Sequence, residues 1–259
     1  RPTDRHIKYI FEVHMNPLLS IKGTIISGFI LSAVLIMLIG GKLVDIEHYI
    51  RWFHYLSGVT WIGLLYYFNF VQTEYVKIAD PDAKSDVMKK LAPNALWWFR
   101  WAAFFTFLTG LILLYFLQVL ATTEIILGSI MGTLMMLNVW GIIWRNQKIV
   151  IGLKEGDAVA AGAKAGLASR TNTLFSLPML YFMISSAHSP VKSYFMGTPA
   201  TGTDPGYLGL DFLIICLVIA LIELNAIYGK MYPVIASVRG VITSSLALTV
   251  VFSGISFYI

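Results

Sequence analysis

Apolar runs of about 18 residues or more recur along this chain, and each is long enough to cross the hydrocarbon core of a bilayer as a helix. In lipid every peptide group has to be satisfied internally, so only helices or a closed barrel remain as folds. No short segments alternate in polarity as barrel strands would, which removes the barrel. Composition agrees: 57% of residues are apolar, 13% are charged and the mean hydropathy is +0.73. A soluble domain is excluded, and an all-α, polytopic transmembrane bundle is expected. The runs predict about seven spans, near 21–41, 47–76, 95–119, 123–145, 170–188, 207–229 and 237–257. Residues 1–20 read as a cytoplasmic interfacial segment with an amphipathic helix over Asp4 to Leu19, and 21–259 as a single transmembrane domain. No cleavable signal peptide is expected, because the first residues are polar and basic.

Connections carry the next signal. Asp80 to Asp86 reads as the start of a charged loop, Lys154 to Lys164 as a Gly- and Ala-rich loop, and Ser189 to Gly206 as a cap of turns rich in Pro and Gly. With seven spans, all of the 19 Lys and Arg except Lys42, Arg51 and Lys192 fall on the side of the amino terminus. The positive-inside rule then puts the amino terminus in the cytoplasm and the carboxyl terminus outside. The same bias accounts for the net charge of +5, so no nucleic-acid partner is inferred.

Ionisable residues inside apolar spans are costly and mark cavities or cofactors. Arg51, His54, Gly58 and Trp61 follow spacings of three, four and three, so they share one face of the second span. His188 closes the fifth span, on the same outer side of the membrane as His54. Two histidines on antiparallel helices suit a metal or haem site, with Gly58 leaving room for a porphyrin edge and Arg51 able to pair a propionate. Alternatives stay open for each. His54 can instead bridge helices by a hydrogen bond, and His188 can be an interfacial residue facing water. His48 can replace His188 as ligand, and Arg51 can snorkel to headgroups. Glu223, with Asn225 in the sixth span, is a proton relay, a substrate contact or a helix-pairing group, and Asn138 a bridge between helices. Trp97 and Trp98 with Trp101 read as an aromatic belt, Tyr66 to Phe70 as packing, and Cys216 as a small buried residue. Ser169 to Thr173 reads as the capped start of the fifth span. No nucleophilic triad, phosphate loop or paired acidic site is present, so catalytic residues are not assigned.

Three blocks resemble a known family. They are Arg51-Trp52-Phe53-His54 through Trp61-Ile62-Gly63; Gly132 through Trp140 with Asn146-Gln147-Lys148; and Thr171-Asn172-Thr173-Leu174-Phe175-Ser176-Leu177-Pro178-Met179-Leu180 ending at His188. In this order they look like the membrane domain of the bacterial PuuD-type urate hydroxylases, the membrane-bound urate oxidases. The first block is also similar to the His-containing helix of small haem-binding membrane families related to protoporphyrinogen oxidation and copper transport.

The resemblance implies a multi-pass oxidoreductase of the bacterial inner membrane. It would oxidise urate or a related small molecule and pass electrons through a haem b to a cytochrome c. His54 and His188 would be the axial ligands, Arg51 a propionate or substrate partner, and Gly58 and Trp61 part of the surrounding wall. Members of the family carry a carboxyl-terminal cytochrome c domain outside the membrane. None lies within residues 1–259, so the resemblance implies a domain further on, a separate periplasmic cytochrome c, or another task. The alternative function is a non-catalytic, haem-binding or structural subunit of a respiratory complex. A transporter ranks third, for want of inverted repeats.

Overall fold

The structure, a computed structural model, describes residues 16–40, 45–117, 122–188 and 209–259. Helices make up these residues, without a strand among them. Seven are long: α1 Ile21–Gly40, α2 over 46–78, α3 Pro81–Leu117, α4 Thr123–Val150, α5 Ala158–His188, α6 Leu210–Tyr228 and α7 Val238–Tyr258. All but α2 and α5 meet the length and hydropathy of a membrane span, which makes the chain a multi-pass membrane protein with an all-α fold. The chain divides into two compact units, 1–49 and 50–259, and the candidate site lies in the second. Of the amphipathic helix expected over Asp4 to Leu19, only the end is described, where Pro17–Leu19 form a 3-10 turn; the rest of it and the cap expected over 189–206 fall outside the described residues.

α5 is the axis of the second unit, and α4 and α7 make its most extensive contacts. Buried residues recur along it from Ala161 to Ser185, and its polar residues Thr171, Asn172, Thr173 and Ser176 are all sunk in protein. That burial explains its modest hydropathy, because a helix surrounded by other helices needs no lipid-facing perimeter. Phe175 and Phe182 join Trp61, Leu65, Phe99, Leu127, Met131 and Phe252 in one apolar core.

Two loops expected from composition are helical. The fifth helix starts at Ala158, not near Arg170: Asp157 Oδ1 accepts from the Val159 and Ala160 amides at 2.9 and 3.1 Å. Alanine is the best helix former, and its small size lets Ala161, Ala165 and Ala168 bury closely. The real turn is shorter and sits at Gly152, whose φ of 77° ends α4 in the left-handed region. Likewise, Pro81 occupies the first turn of α3, and the charged residues after it are helical. Three π-helical turns have no counterpart in the hydropathy pattern: Tyr67–Gln72 in α2, Val87–Leu91 in α3 and Val139–Ile143 in α4. Such turns recur at functional positions.

Pro178 lies inside α5 and has no N–H, so the Leu174 carbonyl loses its intrahelical partner. Ser245 of α7 supplies one, its Oγ donating to Leu174 O at 2.7 Å. Ser245→Ala is expected to lower stability by about 1–2 kcal/mol, because that carbonyl is stranded in a buried position. Thermal unfolding in detergent measures it, and an unchanged midpoint would show that Leu174 O finds another donor.

Candidate functional site

His54 sits on the face of α2 that meets α3. Its Nδ1 is 3.0 Å from Thr109 Oγ1. The Thr109 hydroxyl has one proton, and it donates to the Phe105 carbonyl at 2.6 Å. With that proton on the carbonyl, His54 Nδ1 is the donor of the pair, and the lone pair of the neutral ring falls on Nε2. Gly110 makes the approach possible: a Cβ there would lie 3.2 Å from His54 Cε1. Phe53 packs edge-on to Phe105, 5.6 Å between centroids, on the same helix pair. The imidazole is thus oriented from behind with one nitrogen open, the arrangement a metal-binding histidine or a proton acceptor requires.

Gly58 faces Thr106 of α3, whose Cγ2 would lie 3.8 Å from an added Cβ. Trp61 is buried, and its Nε1 has no hydrogen-bond partner among the described residues. Arg51 is half-buried. His188 stands exposed at the carboxyl end of α5, and no hydrogen bond or ring contact joins it to His54 among the described residues. Helix direction does relate the two. The Tyr66 hydroxyl and Ser176 Oγ lie 2.9 Å apart across antiparallel α2 and α5. His54 precedes Tyr66 and His188 follows Ser176 by the same twelve residues, about 18 Å of helix. Both histidines therefore lie toward the same end of antiparallel α2 and α5. No group of three or more His, Cys, Asp or Glu able to hold a metal occurs among the described residues.

A second polar region lies deeper, where α4, α5 and α6 meet. Asn138 Nδ2 donates to Glu223 Oε2 and to Asn172 Oδ1, each at 3.0 Å, and Asn172 Nδ2 donates to Met135 O at 2.9 Å. Asn138 and Asn172 are essentially inaccessible, and Glu223 is buried. Asn138 bridges helices as expected, and Glu223 pairs with a neighbouring helix. The π-helical turn begins at Val139, whose N–H is shared between the Met135 and Met136 carbonyls, and Met135 O also accepts from Asn172. On the α2 side, Asn69 Nδ2 donates to Ser169 Oγ at 2.7 Å, and Tyr66 stacks on Phe70 at 5.0 Å. The run Tyr66 to Phe70 is thus a polar junction with α5 as well as packing, a role its aromatic composition concealed.

The remaining candidates are simpler. Trp97 and Trp98 are exposed, and Arg100 places its guanidinium 3.9 Å from the Trp144 centroid. Cys216 is a free thiol packed against the core.

Comparison with known proteins gives one finding. No curated protein and no solved structure matches the chain. Residues 121–196, which take in α4 and α5 with Asn138, Arg170, Asn172 and His188, are similar to the family described as Urate oxidase N-terminal.

Proposed function

We propose that this chain is a membrane oxidoreductase module related to urate oxidase, which oxidises urate or a related small molecule and delivers the electrons through a haem b to a cytochrome c. The observation that carries this reading is the similarity over 121–196, because it falls on the two helices that hold the buried polar centre. The donor set fits haem at His54: Nδ1 is committed to Thr109, Nε2 is open, and Gly110 lets the ring sit tightly against α3. His54 would hold the group from α2, with His188, toward the same end of α5, as the proposed second ligand. When bound, the haem would supply one-electron transfer, its potential tuned by ligation and burial. Thr109 orients the imidazole, and Phe53, next to His54 in α2, packs edge-on to Phe105 of α3. We assign the protein to the bacterial inner membrane with its amino terminus in the cytoplasm.

A reduced-minus-oxidised absorption spectrum with pyridine haemochrome analysis tests the cofactor, and urate added anaerobically tests the substrate. A b-type signal that urate reduces supports both. A b-type signal indifferent to urate favours the alternative, an electron-relay or structural subunit of a respiratory complex. Folded protein without haem removes the cofactor. Orientation has its own test: a reporter fused after Ile259 is expected to be active only outside the cytoplasm, and activity inside would overturn the seven-span arrangement.

A further inference from the structure

Arg170 is the one described cation sunk in the bundle without a partner. Its side chain is 5% exposed, and its Nη1 is buried with no hydrogen-bond acceptor among the described residues. Glu74 of α2 acts on it electrostatically, but no ion pair joins the two among the described residues; the Glu74 Oε1 contact is with Lys77 at 2.7 Å. Leu167, Arg170 and Leu174 are spaced by three and four, so they form one stripe of α5. The two leucines pack with Ile235 and Val241, and Phe70 of α2 lies against them. The guanidinium is therefore set into an apolar stripe, where an ionised group is strongly unfavourable until an anion joins it.

Two further observations describe what that anion looks like. Arg170 follows Gly166 by four residues, one turn of α5. A Cβ at Gly166 would meet nothing within 4 Å, so the face of α5 one turn before Arg170 has open space. On α2, two residues before Glu74, Gln72 keeps a buried amide oxygen without a donor. We infer that Arg170 is the recognition group of a binding site for a small planar organic anion that also carries N–H donors. Its planar fork takes the anionic edge, the apolar stripe with Phe70 takes the flat face, and the Gln72 oxygen takes an N–H. Urate is an anion of this class, an identification that rests on the reading above. The phosphate of a lipid headgroup would satisfy the guanidinium but match neither the flat apolar wall nor the Gln72 acceptor.

The test uses the full chain in nanodiscs of neutral lipid, with urate, benzoate and inorganic phosphate as probes in calorimetric titrations. Urate is expected to bind, and Arg170→Gln to weaken it about 10–100-fold, the range for loss of a charge-assisted hydrogen bond, with Arg170→Lys recovering part. Thermal stability of Arg170→Gln is expected to hold or rise, since an unpaired buried charge is removed. A marked fall in its melting temperature would assign Arg170 a structural role and overturn the inference. Urate binding indifferent to Arg170→Gln would also overturn it, while leaving the oxidoreductase reading intact. Arg170-dependent binding of benzoate without urate would keep the site and remove urate as its ligand. Arg170-dependent binding of phosphate alone, or of vesicles containing phosphatidylglycerol, would make it a headgroup contact and end the proposal.

Discussion

Replacing His54 with alanine is expected to remove the b-type signal from the spectrum of a protein that still inserts and folds. The expectation follows from the open Nε2, the only nitrogen that the Thr109 contact leaves for a ligand. The accompanying structural loss is small, since one hydrogen bond between membrane helices contributes about 0.6 kcal/mol on average. That separation of magnitudes makes the test decisive. If His54 only bridges α2 and α3, His54→Ala shifts the unfolding midpoint slightly and leaves the spectrum as it was. Thr109→Val sharpens the distinction. It keeps the ligand but frees the ring, so haem affinity is expected to fall about 10–100-fold with the b-type band still present.

Asn138→Leu is expected to be the most destabilising single change in the polar centre, by about 2–4 kcal/mol. One side-chain amide there serves two acceptors on different helices, Glu223 Oε2 and Asn172 Oδ1. Removing it leaves both buried oxygens without that donor, and lipid offers no water in exchange. The matching double variant, Asn138→Leu with Glu223→Leu, is expected to recover part of the loss, because it removes the stranded carboxylate while Asn172 Oδ1 stays without its donor. Unfolding of the single and double variants in detergent checks this. A single variant as stable as the parent would mean that Glu223 is satisfied from elsewhere.

The legible part of the fold was the part set by lipid. Each of α1, α3, α4, α6 and α7 shows a run of apolar residues of spanning length, and hydropathy alone reveals those runs. α5 is legible only in its second half. Residues 158–168 are helical because alanine favours helix and Asp157 caps it, yet hydropathy measures contact with lipid and not helix propensity. Reading that stretch as a loop also hides Arg170, which then looks like a residue at a helix entrance and lies instead a dozen residues inside one. An alanine-rich segment behind an Asp is the signal that could have exposed both.

The site divides in the same way. Periodicity placed Arg51, His54, Gly58 and Trp61 on one face, and topology put His54 and His188 on the same outer side of the membrane, since both depend only on rise and turn per residue and span count. Asn138, Asn172 and Glu223 were each visible as polar residues in apolar spans. Their union was not visible, nor were the commitment of His54 Nδ1 to Thr109 and the isolation of Arg170. The sequence by itself determined that the chain is helical, that it lives in a membrane, and which helix faces are polar. Only the tertiary structure decided which buried group meets which, because a hydrogen bond between helices depends on their relative rotation and register, and local periodicity carries neither.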